Sequence, residues 1–217
     1  MEAILFLVLA VVLAGVVGFM GYYSIQSLRQ ASVLGRPVPL DRLRQHMDEP
    51  VAVHGQPELR SGQAGPFGFP VLWYQQKNQE YYRRGKSSGW RTTSTRERHF
   101  DFYLHYPDGG RVYVSGKPSE VHGGHSRTDG GGFFAYHGQR RTIYKWLPVA
   151  PSLTVLGRLA LSKQGATILR DKSVGLLWTT APPASAAMTE RLKGWGGLGL
   201  CAALVATAVV GFVVIVG

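Results

Sequence analysis

The sequence predicts a mainly β (α+β) protein, in which one small antiparallel barrel-like or partly open sheet domain is flanked by two transmembrane helices. Two uncharged runs, 3–20 and 196–217, enclose a middle segment with short alternating apolar patterns and many glycines. All 24 Lys and Arg, and 12 of the 13 Asp and Glu, lie between Arg29 and Lys193, so that middle segment carries a charge of +12, and Glu2 brings the net charge of the chain to +11. The 217 residues leave room for two anchors and one domain of ordinary size.

The C-terminal run predicts a transmembrane helix over 194–217. Its 22 uncharged residues would span about 33 Å as a helix, enough for a bilayer core of roughly 30 Å. In lipid a helix satisfies its own backbone hydrogen bonds, and Trp195 stands at the start of the run as an interfacial anchor. Small residues recur at every fourth position and predict a close-packing face: Gly199, Ala203, Thr207 and Gly211.

The N-terminal run predicts a second transmembrane helix over 1–23. Glu2 stands where a signal peptide has a positive region, and no small-x-small cleavage site follows, so we expect an uncleaved anchor. A cleaved export signal is the alternative. Ala10, Ala14 and Gly18 repeat the small-residue spacing, which favours packing of the two helices on each other and allows self-association.

Basic residues predict the orientation of a multi-pass protein. They follow the first run and precede the second: Arg29, Arg36, Arg42, Arg44, Arg191 and Lys193. Because positive residues near membrane ends favour the cytoplasmic side, we expect both termini outside and the domain in the cytoplasm.

The soluble part is divided by its composition. Residues 24–50 are expected to form a helical connector, broken at 35–39 by glycine and prolines and ended at Pro50. The β-rich domain is expected over 51–180, and residues 181–193 are interpreted as a linker.

A repeated strand pattern supports a small barrel. The form V-x-V-x-G occurs at 51–55 and 112–116, and a looser version occurs at 153–157. Glycine at the end of a strand suits a bulge or a sharp bend. The Pro-Asp-Gly-Gly turn at 107–110 predicts a hairpin, and the residues 123–132 predict a glycine-rich loop.

The most distinctive charged feature is a basic stretch between residues 77 and 98, with tyrosines and a tryptophan interleaved. Its seven cations are Lys77, Arg83, Arg84, Lys86, Arg91, Arg96 and Arg98. On a membrane-tethered domain, such a stretch predicts binding to anionic lipid headgroups or to an acidic protein partner. Single-stranded nucleic acid is a less favoured alternative. The simplest interpretation is a solvated hairpin whose charges keep a strand edge from aggregating.

The sequence indicates no catalytic site and no cofactor. His122, His125 and Asp129 are the best candidates for a metal site, but a solvated polar loop explains them more simply. Paired carboxylates in a setting suited to acid–base chemistry are missing from the pattern.

The order of these features resembles the GIDE family, also called the beside-a-membrane (BAM) family. The resemblance rests on a membrane helix at each end and on several short segments between them: 51–55, 71–75, 100–104, 107–110, 112–114, 140–144 and 153–157. It covers nearly the whole chain, but through loosely specified positions, and it implies a membrane-attached β-rich domain.

Family members in eukaryotic organelles carry a RING domain and act as ubiquitin-protein ligases. A RING needs two zinc sites made from about eight Cys and His ligands, whereas the only cysteine of this chain is Cys201. The resemblance therefore implies a form without the RING, a non-catalytic interaction module. A role in ubiquitin transfer and organelle organisation is the alternative that rests on resemblance alone.

Overall fold

The structure, a computed structural model, describes residues 2–60, 66–132 and 134–216, with side chains for 8, 10–60, 66–132 and 134–208. It divides into a helical unit, Met1–Arg36 with Pro183–Gly217, and a β-rich unit, Pro37–Pro182. The helices are α1 (Glu2–Leu34) and α2 (Pro183–Val216), and a 3-10 helix covers Leu40–His46. The strands are β1 (Pro50–Leu59), β2 (Val71–Arg84), β3 (Ser87–His99), β4 (Phe102–His105), β5 (Arg111–Val114), β6 (Glu120–His122), β7 (His125–Gly130), β8 (Arg140–Pro148), β9 (Leu153–Ser162), β10 (Gly165–Leu169) and β11 (Leu177–Thr179).

Five strands of the β-rich unit close into a barrel in the order β1-β4-β5-β10-β9, with β9 pairing back to β1. Every pairing in this ring is antiparallel except that of β5 with β10, which is parallel. A small five-stranded barrel is also the architecture of OB-type domains. The mainly β prediction is confirmed, but the barrel is mixed rather than purely antiparallel, because β10 turns back from β9 and enters beside β5 in the same direction.

The barrel interior is filled by one apolar cluster. Alternate residues of β4 and β5 point inward, so that Phe102 and Leu104 meet Val112 and Val114 with no exposed surface. Trp178 of β11 lies edge-on to Phe102, with ring centroids 5.0 Å apart. Leu43 of the 3-10 helix joins the same cluster, so this part of the predicted helical connector covers the core.

Glycines of the predicted strand pattern lie where barrel strands change partners. Residues 50–55 of β1 pair with β9, and from Gln56 onward the strand pairs with β4. Gly55 stands at this change, and a Cβ atom there would collide with the carbonyl oxygen of His105. Gly157 marks the corresponding change on β9, between the residues paired with β11 and those paired with β10.

A separate four-stranded antiparallel sheet, in the order β3-β2-β8-β7, is formed by the segments that connect strands of the barrel. The basic stretch forms about half of it, because β2 and β3 are a long hairpin that turns at Gly85, whose φ is +59°. The segment predicted as the loop 123–132 is largely β7, which pairs with β8. That loop prediction was wrong because β7 has no buried residue and therefore no apolar alternation to reveal it.

In the helical unit, α1 and α2 pack side by side. The Cβ position of Gly194 lies 2.5 Å from Leu28 Cγ, that of Gly197 meets Ser24 Oγ, and Cys201 approaches the Val17 carbonyl. Residues with rising numbers in α2 therefore contact residues with falling numbers in α1, so the two helices are antiparallel. The segment interpreted as a linker, 181–193, is mostly the first part of α2, which begins at Pro183, a residue suited to a first helical position.

One helical segment among the described residues, Ala10–Leu34, is long and apolar enough to cross a membrane. Only 6% of its most apolar window is buried, unlike the core helix of a soluble fold, although a signal sequence near an N-terminus has the same length and composition. The sequence predicts two spans, and the described residues give one. The second predicted span, at the end of α2, extends beyond residue 208, the last side chain that the structure describes.

We predict that Gly55→Ala destabilises the barrel by about 1–3 kcal/mol, because the added methyl group meets backbone of β4 that cannot move without opening the barrel. The free energy of unfolding of the β-rich unit in the intact protein measures the effect. Gly89→Ala is the matched control, since its Cβ would approach only the Tyr82 ring, at 3.6 Å. Equal stability of the two variants would contradict the role of Gly55.

Candidate functional site

The registers of the second sheet determine which side chains share a face. Opposite residues of paired strands point to the same side. One row across the four strands is Arg98, Tyr74, Trp146 and His125, and the next is Arg96, Gln76, Tyr144 and Arg127. The basic stretch is therefore only part of a surface to which β7 and β8 also contribute.

A β-bulge brings a third arginine of β3 onto this face. Arg91 is five residues before Arg96, and in an unbroken strand the two would point to opposite faces. The register shifts between Asn78 and Gln79 of β2, which leaves Thr93 of β3 as the extra residue. Arg91 consequently lies opposite Glu80, on the same side as Arg96 and Arg98. Bulges are a recognised means of re-aiming side chains.

We call this surface the arginine face. It consists of six exposed arginines: Arg84, Arg91, Arg96, Arg98, Arg127 and Arg140. Two acids share the face, Glu80 and Asp129, and the latter accepts a hydrogen bond of 2.5 Å from Arg127 Nε. Lysine is absent from these described strand positions, so every cation here is a planar guanidinium that can bind phosphate or carboxylate through two parallel hydrogen bonds.

Aromatic rings pack together at the end of the arginine face nearest Arg98. Phe67 stacks on Trp146 with centroids 4.6 Å apart, and its edge meets Tyr144 at 5.7 Å. His125 stacks on Trp146 at 5.7 Å. Phe67 and His125 therefore cover part of the Trp146 ring, while the Phe69 and Tyr82 rings each remain 38% exposed.

The opposite face of the sheet holds the remaining predicted cations and a polar cleft. Lys77 and Arg83 point to this side, together with Lys145, while Lys86 lies in the hairpin turn. The seven predicted residues are thus split between two faces and a turn, and only Arg84, Arg91, Arg96 and Arg98 share one surface.

The cleft has a volume of about 480 Å³ and includes Trp73, Glu97 and Lys117 in its wall. Its charges are largely paired with each other. Lys117 Nζ lies 2.8 Å from Glu97 Oε2, and the Trp73 indole N–H donates to Glu97 Oε1 at 2.9 Å. Burial raises the pKa of Glu97, but these two donors outweigh it and hold the pKa below its usual value.

The metal candidates do not assemble into a site within the described residues. Ligand atoms of His122, His125 and Asp129 are not grouped together, because His122 ends β6 whereas the other two lie on β7. His122 contacts Glu120, His125 stacks on Trp146, and Asp129 pairs with Arg127.

The predicted helix-packing residues lie beside the closest helix contact rather than in it. Gly199, Ala203 and Thr207 are exposed, and Gly211 falls outside the described side chains. Ala10, Ala14 and Gly18 line a groove with Val205 and Ala208 of α2. The close approach uses Gly194, Gly197 and Cys201, whose three- and four-residue spacing gives an equally valid small face in the sequence.

The outer barrel surface formed by β4 and β5 was not identified from the sequence. In OB-type barrels this surface binds oligonucleotides. Here Tyr103 and Tyr113 pair with centroids 5.2 Å apart, and Arg111 covers Tyr103 at 4.5 Å. Tyr113 is 6% exposed and donates a hydrogen bond to Asp101 at 3.0 Å. Because each of these rings is already covered by a neighbouring side chain, a structural role explains the two tyrosines better than binding to an oligonucleotide.

We predict that Glu97 makes stability depend on acid pH. Its folded-state pKa lies below its unfolded value, so its contribution is complete above the unfolded pKa and is lost as the pH falls through the folded pKa. Glu97→Gln should therefore lower the free energy of unfolding at neutral pH, and the difference from wild type should disappear in acid. Glu80→Gln, on the other face of the same sheet, is the control. A difference that persists unchanged in acid would contradict the prediction.

Comparison with known proteins adds no family assignment: no family model matches the chain, and no curated protein or solved structure is significantly similar to it.

Proposed function

We propose that this protein is a membrane-anchored, non-catalytic interaction module whose arginine face binds an anionic lipid surface. The observation that carries this proposal is the gathering of six exposed arginines on one side of the second sheet, with the Thr93 bulge aligning Arg91 with the others. A flat sheet that carries many guanidinium groups on one side suits a flat, phosphate-rich surface.

The membrane anchor in this proposal is the helix pair. Ala10–Leu34 has the length and composition of a span. The uncharged part of α2 packs antiparallel along it, through Gly197 and Cys201, and would occupy the same apolar layer. We therefore propose two spans, with the basic residues next to them on the cytoplasmic side. This arrangement is the one expected from the resemblance to the GIDE family without its RING.

Two other classes of partner explain the surface less well. Single-stranded nucleic acid is bound by stacking on several open aromatic rings, whereas on this face Phe67 and His125 cover Trp146 and the Tyr82 ring is 38% exposed. On the barrel, Arg111 covers Tyr103. An acidic protein would satisfy the arginines equally, but a leaflet to which the chain is tethered is always present at high effective concentration.

We predict that Arg91→Thr, Arg96→Thr and Arg98→Thr together abolish most binding to anionic membranes. Each basic residue near such a surface contributes about 1 kcal/mol, so the triple change should weaken binding on the order of a hundredfold. The full-length protein is held in phosphatidylcholine nanodiscs. Its binding to added vesicles with phosphatidylserine is compared with its binding to pure phosphatidylcholine vesicles, at low and high salt.

The matched control removes the same charge from the opposite side of the same sheet, through Lys77→Thr, Arg83→Thr and Lys145→Thr. This control should retain most of the binding, since those cations point away from the arginine face. Equal losses in the two triple variants would show that net charge alone acts and would overturn the proposal. Retained vesicle binding with loss of binding to an oligonucleotide or an acidic peptide would assign the face to that partner instead.

A further inference from the structure

We propose that the helical unit contains a second, separate site, a pocket that binds the phosphate group of an anionic phospholipid between Arg36 and Arg191. The pocket has a volume of about 200 Å³, enough for a headgroup phosphate and its immediate substituents but not for a large ligand. Its wall is formed by α1, the residues just after it, and α2: Leu28, Ser32, Gly35, Arg36, Arg191 and Trp195.

Close packing of the helices places both arginines in the wall of one pocket. The antiparallel contacts of Gly194 with Leu28 and of Gly197 with Ser24 place the start of α2 beside the end of α1. One turn before Gly194 on α2, the Arg191 guanidinium lies 3.7 Å from the Cβ position of Gly35. A side chain at residue 35 would occupy this space, so the glycine keeps the pocket open next to Arg36.

Neither guanidinium is neutralised by an acid in the part of the chain that the structure describes. The acid nearest in sequence, Glu190, accepts a hydrogen bond of 2.6 Å from Lys193 Nζ and is 1% exposed. Arg36 and Arg191 form no ion pair with a described residue. Two adjacent positive charges repel each other, and an anion that accepts hydrogen bonds from both would remove the repulsion and fill the pocket.

The position of the pocket along the helices indicates a lipid rather than a soluble anion. Trp195 lines the pocket, is 66% exposed and immediately precedes the uncharged run of α2. Tryptophan in this position favours the membrane–water interface. Arg191 lies one helical turn, about 6 Å, beyond it, which is the depth at which phospholipid phosphates lie. Leu28 would contact the upper acyl chain.

This inference rests on the membrane anchoring proposed above, but it does not depend on the arginine face. The two proposals can be refuted independently, because one test measures vesicles bound to the arginine face and the other measures individual lipids retained by the helices. An intact arginine face with no retained lipid would refute only the pocket.

The test is native mass spectrometry of the full-length protein reconstituted in an equal mixture of phosphatidylglycerol and phosphatidylcholine and then released from the bilayer. We expect wild type to retain phosphatidylglycerol in preference to phosphatidylcholine. Arg36→Gln with Arg191→Gln should reduce that retention about tenfold or more, since both charge-assisted phosphate contacts are lost. Equal retention of the two lipids by wild type, which requires no substitution and no refolding, would overturn the proposal.

The control variant, Arg29→Gln with Arg42→Gln, removes the same charge from positions that do not line the pocket and should retain the lipid like wild type. Inorganic phosphate and soluble glycerol phosphate are added as competitors. Retention that survives both competitors supports a lipid site, whereas displacement by either at the concentration of the lipid would overturn the lipid assignment in favour of a free phosphate site. Equal loss of lipid in the control and the pocket variants would also refute the pocket.

Discussion

Closure of the barrel through β1 is the constraint on which the β-rich unit depends. This single strand pairs with β9 along its first part and with β4 along its second, and the change occurs at Gly55. A closed ring of strands has no free edge, so its connections can lengthen without exposing the core. The connection from β1 to β4 contains β2 and β3, and that from β5 to β9 contains β7 and β8. All four strands of the arginine face therefore belong to segments inserted between strands of the closed barrel.

The sequence predicted the elements that have buried residues. Strands around residues 51–55, 112–116 and 153–157 were identified because most of their residues are buried, and an apolar residue recurs at every second position. By contrast, β3 and β7 have no buried residue, so they show no such alternation. Their pairing is decided by β2 and β8, which lie far away in sequence.

The same distinction explains why the candidate site was predicted only in part. Composition revealed an accumulation of cations between residues 77 and 98, but it does not show on which face of a sheet each cation lies. The division of those cations into two faces depends on strand register, and the alignment of Arg91 with Arg96 depends on one extra residue at Thr93. Arg127 and Arg140 join from other strands. A resemblance to GIDE domains could not supply these registers.

The use of arginine for the cations of the arginine face determines how the charge of that face responds to lysine modification. Guanidinium groups stay protonated at every physiological pH, and they have no ε-amine for acetylation. Lys77, Lys86 and Lys145 lie on the opposite face or in the turn. Complete acetylation of the lysines would therefore alter one side of the sheet and leave the guanidinium charges of the other unchanged. The arginine face keeps its guanidinium charge whatever the acetylation state of the sheet.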